Sequence, residues 1–185
     1  MGRVLLLAFA SLSCALTVLA KLGPPGGPLK LSHETADALK VFRSFPYVVC
    51  ITDSNNDTVF ECMEANRTEF DPVAKTATFV WIFRAPGTSH REEVPVPQKV
   101  GQEPGTLEFA DPEDGTLREG RLYYTDYDTC VILDFELRGH QCALWVRRDI
   151  VDSVPQECVD QFEDTCGVVV PQHRREFCGD DDIVL

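Results

Sequence analysis

The stretch TCVILDFELRGHQCALWV, residues 129–146, decides the fold. Two runs rich in aliphatic, β-branched and aromatic side chains, 129–137 and 141–146, flank the turn pair Arg138-Gly139. Runs of this length around such a turn read as two neighbouring antiparallel strands. Side chains alternate between the faces of a strand, so Val131, Leu133, Phe135 and Leu137 form one wholly apolar row. The opposite row carries Asp134 and Glu136.

Working outward, further short strands are expected at 47–52, 59–65, 76–84, 92–96, 106–109 and 120–124. The breaks between them are Asp53-Ser54-Asn55-Asn56-Asp57, Pro86-Gly87, Pro104-Gly105 and Asp114-Gly115. Eight short strands at regular spacing indicate an all-β barrel or sandwich. A short amphipathic helix is expected at 34–42, with Ala36, Leu39, Val41 and Phe42 apolar and Pro46 ending it. A second helix follows Ser153, with Pro155 in its first turn, Gln156 completing a capping box and Gly167 as stop. Cys158, Phe162 and Cys166 share one face of it.

The chain of 185 residues is long enough for one domain with a sizeable core. It has 17 basic and 30 acidic side chains, a formal charge of −13. That charge excludes nucleic-acid binding through a basic surface and disfavours docking on an anionic membrane. Arg3 precedes an apolar run from Val4 to Ala20, with small residues Val18 and Ala20 before Lys21. A secretory signal over 1–20 is expected, the run being short for a membrane span. Its removal discards Cys14 and leaves seven of the eight cysteines. Residues 21–33, rich in Gly and Pro, read as a flexible leader, 34–178 as the folded domain, and 179–185 as an acidic tail. Asn56-Asp57-Thr58 and Asn66-Arg67-Thr68 are N-glycosylation acceptors, expected on the surface of a secreted chain.

At Tyr127-Asp128-Thr129-Cys130-Val131-Ile132 the sequence resembles the signature strand of the tick salivary lipocalins, the histamine-binding protein family. The resemblance continues through Cys142-Ala143-Leu144-Trp145-Val146, Cys158…Phe162…Cys166-Gly167 and Cys178. Asp37-Ala38-Leu39-Lys40 is similar to the family's Asp-Ala-Trp-Lys element, with Leu39 in place of the Trp. It implies an eight-stranded antiparallel lipocalin barrel around a cavity, a short N-terminal helix near one mouth and a C-terminal helix packed outside. It also implies the pairs Cys62–Cys178, Cys130–Cys158 and Cys142–Cys166. Cys50 is then left over, either as a buried thiol or paired with Cys142 or with another chain.

Under that pairing, a cysteine bonded to the outer helix or the C-terminal segment points away from the cavity, and alternate residues point in. Val131, Leu133 and Phe135 then face inward, as do Ala143, Trp145 and Arg147, and on the Cys62 strand Val59, Glu61 and Met63. Asn66 falls on the outward parity, as a glycan requires. Phe79, Trp81 and Phe83 form a further bulky row, favoured as cavity wall over the opposite row of Thr78, Val80 and Ile82. Phe42 completes the candidate ligand-binding set. The oriented strands supply Glu61 as an inward acid and Arg147 as an inward base, which could pair. Asp37 adds an acid near the mouth or caps its helix.

A buried amine needs carboxylates, so this lining favours an apolar or amphipathic ligand, sterol-like or fatty-acid-like. The alternative is histamine or another biogenic amine held by Asp37 and Glu61. Within the family, the cavity and the sequon-bearing surface look similar to those of a cholesterol-binding immunomodulator. The resemblance implies a secreted, monomeric protein that alters host immune or inflammatory responses. A third reading is a protein-binding immunomodulator with a purely structural interior, using loops 88–91 and 111–115 on a host immune protein or cell. His33, His90, His140 and His173 lack zinc-ligand spacing. No nucleophile elbow, phosphate loop or dinucleotide fingerprint is present, so no catalytic residue, metal or cofactor is expected.

Overall fold

A computed structural model describes residues 34–84, 90–174 and 178. The expected signal, leader and acidic tail lie outside the described residues, as does Pro86-Gly87. The first element of the described residues is helix α1 (Ala38–Ser44), followed by strands β1 (Tyr47–Asp53), β2 (Glu64–Asp71), β3 (Thr76–Arg84) and β4 (Arg91–Val100). It continues with β5 (Thr106–Ala110), β6 (Leu117–Thr125), β7 (Cys130–Glu136) and β8 (His140–Arg147), then helix α2 (Gln156–Cys166) and the two-residue β9 (Val170–Pro171). All neighbours are antiparallel in the order β2-β3-β4-β5-β6-β7-β8-β1, and a β1–β2 pairing closes the ring. The result is a closed eight-stranded barrel with β9 added to β1 at Thr52 and Asp53.

Local chemistry sets the element ends. The Asp37 carboxylate accepts the Lys40 N–H at 3.1 Å and caps α1, so the helix starts later than position 34. It stops before Pro46, which disfavours helical backbone at Phe45. α2 starts at Gln156 with Pro155 as N-cap, and the capping box at Ser153 does not form. Ser153 instead donates its N–H to the Ile150 carbonyl at 2.9 Å, closing the 3-10 turn Arg148–Ile150. Gly167 ends the helix at φ 89°.

The expected strand at 59–65 is corrected. Asp57 Oδ1 accepts the Val59 N–H at 2.9 Å, and Thr58 and Cys62 adopt positive φ of 63° and 59°. Residues 58–63 are therefore turns, and β2 begins only at Glu64. Alternation cannot be carried through Val59, Glu61 and Met63. The strand expected at 92–96 runs the length of β4 despite Pro95 and Pro97. Its ladder to β5 begins only at Gln98, so the missing proline N–H groups fall where β4 has one paired edge.

Two cores result. The larger fills the barrel with Phe42, Phe45, Val48, Phe60, Met63, Phe79, Trp81, Val96, Phe109, Val131, Phe135 and Trp145. The smaller lies outside, where Ile132, Leu144 and Val146 of the wall meet Phe162 of α2. The Cys130–Cys158 and Cys142–Cys166 disulfides staple α2 to β7 and β8 there, and Cys62–Cys178 ties the β1–β2 loop to the C-terminal segment. Cys50 is a buried free thiol inside the barrel, Cys142 being taken by Cys166. Among the described residues no helix is long and apolar enough to cross a membrane.

Candidate functional site

Strand register decides which side chains reach the interior. Val48 pairs with Ala65, Ala65 with Trp81 and Trp81 with Val94, so these share one face. That face is the inner one, which settles the direction of the row containing Phe79 and Trp81. β7 and β8 place Val131, Leu133, Phe135 and Trp145 on the same side.

Among the described residues, two cavities with no lining residue in common lie within the barrel. The lower one, at the α1 end, has a volume of about 70 Å³. Phe42 and Val41 of α1, together with Phe45, close it, and every strand from β1 to β8 contributes to its wall. No lining residue is charged; Gln98 and the indoles of Trp81 and Trp145 supply its side-chain polar groups. The indole Nε1 of Trp145 is buried and has no hydrogen-bond acceptor among the described protein atoms. An indole nitrogen only donates, so it suits a ligand oxygen and cannot stabilise an ammonium.

The upper cavity, at the opposite end, measures about 370 Å³. It is formed by Thr58, Val59 and Glu61 of the β1–β2 loop, Phe83 and Arg84 of β3, and Glu92 and Val94 of β4. His90, Pro112, Glu113, Leu137 and Arg138 complete it. Its charges are mixed: Glu61 accepts from Arg174 at 2.9 Å, and Glu113 pairs with Arg138.

A layer of aromatic rings lies between the cavities. Phe60 sits 5.5 Å from Phe135 and 5.9 Å from Trp145 between ring centroids. Phe109 lies 5.7 Å from Phe135 and 5.5 Å from Trp81. Phe60 is fully buried, although its neighbours Thr58 and Val59 line the upper cavity.

The structure therefore distributes the candidate residues. Phe42, Phe79, Trp81, Val131, Leu133, Phe135 and Trp145 meet around the lower cavity. Phe83 and Glu61 belong to the upper one, and Met63 is fully buried in the barrel core without lining either cavity. Asp37 is exposed at the start of α1 and lines neither; its N–H donates to the Tyr127 hydroxyl at 2.7 Å. Arg147, expected to face inward, lies at the rim and pairs with Asp128 at 3.2 Å and with Asp149. It reaches water because β8 ends there. Of the two outward acids of β7, Glu136 is exposed as alternation implies and Asp134 is not. Asp134 is half-buried against His140 at 3.0 Å, and burial pushes its carboxyl up to about 6.

Sequence reasoning missed Phe60, Gln98 and the β5–β6 contribution of Leu107, Phe109 and Leu122. Leu107 and Phe109 show the required alternation, so that pair was open to detection. Asn56 is exposed, and Asn66 pairs with outward-facing Tyr47 and Val80.

Comparison with solved structures finds the same barrel. A serotonin complex of the protein AM182 matches with TM-score 0.62 at 13% identity, covering 78% of this chain and 94% of that one. Japanin from Rhipicephalus appendiculatus, bound to cholesterol, matches with TM-score 0.52 at 16% identity, covering 70% and 94%. Insecticyanin from the tobacco hornworm Manduca sexta gives 0.53 at 14% identity, covering 75% and 76%. At these identities the likeness concerns the fold. No curated protein matches the chain significantly. The family profile described as "Tick histamine binding protein" matches residues 29–178, most of the chain, so the chain belongs to the tick histamine-binding protein family of lipocalins.

Proposed function

We propose that this protein is a secreted carrier of a small amphipathic ligand, an apolar body bearing an oxygen acceptor, and that it acts on host inflammatory or immune responses. The observation that carries this reading is the lower cavity, whose uncharged wall includes the unpartnered indole N–H of Trp145. Burying an ammonium there would cost several kcal/mol without a carboxylate to offset it. A fatty-acid-like or sterol-like molecule places apolar surface against these walls at about 25 cal/mol per Å² and offers oxygen to the indole. Ligand pockets commonly span about 300–1,000 Å³, a range that the upper cavity reaches and the lower does not. The ligand's apolar end fills the lower cavity, and its remainder passes the Phe60 ring into the upper one. The signal-like start and the exposed sequon at Asn56 support secretion.

A second reading has one observation in its favour: Glu61, Glu92 and Glu113 all line the upper cavity, where a biogenic amine would find carboxylates. Arg84 and Arg138 line the same cavity and Arg174 holds Glu61, so little negative surplus remains for a cation. Native mass spectrometry of protein secreted by eukaryotic cells separates the readings. Co-purified lipid, or uptake of oleic acid or cholesterol at one equivalent, is expected. An empty barrel that takes up histamine or serotonin and no lipid would overturn the first reading in favour of the second.

A further inference from the structure

The turn after β1 reads Asp53-Ser54-Asn55-Asn56-Asp57-Thr58-Val59. Oxygen-bearing side chains at positions 1, 3 and 5, followed by a residue with positive φ at position 6, match the first half of a calcium loop. Thr58 at that sixth position has φ 63°. The twelfth position, Glu64, is committed elsewhere, accepting from Tyr47 on the outer wall. The spacing alone would therefore mean little.

The packing beneath it adds a second, independent observation. Asp53 is 1% exposed and Gln141, on β8, is fully buried. Asp53 Oδ2 and Gln141 Oε1 are both buried acceptors without a hydrogen-bond partner. Each belongs to a side chain oriented by its other atom. Asp53 Oδ1 accepts from the Asn55 and Cys142 N–H groups at 3.2 Å each, and Gln141 Nε2 donates to Asp57 Oδ2 at 2.8 Å. Gln141 Nε2 also donates to the Leu137 carbonyl at 3.1 Å, so turning the amide over would set oxygen against two acceptors. Gln141 pairs with Phe135 and Asp53 with Ala143, and Phe135 and Ala143 belong to the interior core. The orphaned Asp53 Oδ2 and Gln141 Oε1 thus belong to inward-facing side chains at one barrel mouth, beside the Asp57 carboxylate, whose Oδ2 also accepts from Asn55 Nδ2 at 2.7 Å. Among the described residues neither carboxylate has an ion-pair partner, and burial pushes the Asp53 carboxyl up to about 7.

We propose that Asp53, Asp57 and Gln141 bind a divalent cation of calcium type, which pins the β1–β2 loop to β1 and β8. The chemistry suits a hard cation: the donors are carboxylate and amide oxygens, with water and backbone carbonyls to complete a shell of six to eight. Bound there, the ion would order the loop that carries Phe60 into the barrel.

Calorimetric titration of the full chain, stripped of metal with EDTA, tests this with CaCl2 and separately MgCl2, together with thermal unfolding in either salt. One equivalent of Ca²⁺ is expected at a Kd of about 10⁻⁴–10⁻³ M, the range of extracellular modules, raising Tm by ligand linkage. Asp57→Asn and Gln141→Leu should each weaken binding about tenfold or more, whereas Gln141→Glu, which adds a charged oxygen donor, should tighten it. Absence of both heat and Tm shift in the unaltered chain would overturn the proposal. So would binding that is identical in Gln141→Leu, since the ions would then sit on the general acidic surface.

Discussion

Replacing Phe60 by alanine removes a fully buried ring from between the two cavities. The expected cost is about 3–5 kcal/mol, read from urea unfolding, and the joined interior should take up larger apolar ligands than the unaltered protein does. Unchanged lipid uptake would mean that Phe60 does not limit the interior. Trp145→Phe probes the other decisive atom. It removes the N–H together with part of the ring volume, so affinity for an oxygen-bearing lipid should fall about fivefold or more, the worth of roughly 1 kcal/mol of hydrogen bonding. Tm should fall modestly, through the lost ring volume and not through a lost hydrogen bond, because the indole N–H has no protein partner among the described residues. These residues differ in legibility. Trp145 is visible in the sequence because it alternates with Cys142 along a clean strand. Phe60 is hidden because it sits among Val59, Glu61 and Met63 in what reads as strand. Only the Asp57 side-chain bond and the positive φ at Thr58 and Cys62 turn that segment into a plug.

At the level of elements, the β7–β8 hairpin was readable because its two faces differ sharply in hydrophobicity and Gly139 marks the turn. The tilt of its outer face toward other groups was not readable. Asp134 looks solvated by alternation, yet it shares a half-buried site with His140. Burial, aided by Glu136, raises its carboxyl to about 6, against the pull of His140 and Arg121. The folded protein therefore holds a proton that the unfolded chain releases near pH 4. This contribution to stability is fully present below about pH 4 and is lost as pH rises through about 6. Asp134→Asn should accordingly gain in urea midpoint relative to the unaltered protein between pH 4 and pH 7, and a constant difference across that window would contradict the assignment. The α2 stripe of Cys158, Phe162 and Cys166 was legible from its i, i+4, i+8 spacing. Its start was not, because the turn at Arg148–Ile150 claims Ser153.

For the whole molecule, the three disulfides define what the barrel can lose. Cys130–Cys158 closes a loop of sequence separation 28 that holds β7 and β8 and ends in the first turn of α2, and its removal as a double Ser variant should cost about 3 kcal/mol. Cys62–Cys178 spans a separation of 116 and also anchors the loop bearing Phe60. Its removal should lower Tm and at the same time loosen lipid retention, a coupling that the α2 bridge should not show. An all-β barrel or sandwich was legible because alternation survives in sequence on most strands, and the family resemblance supplied the choice of a barrel. The interior volume was not, since it depends on how far one loop folds inward.

Both tryptophans of the chain, Trp81 and Trp145, line the lower cavity. Intrinsic tryptophan fluorescence therefore reports its occupancy without any label. Titration of delipidated protein with oleic acid, cholesterol and histamine should give a saturable change with at least one of the lipids and none with histamine at micromolar concentrations. A saturable change with histamine and none with either lipid would contradict an uncharged, oxygen-accepting chamber as the binding site.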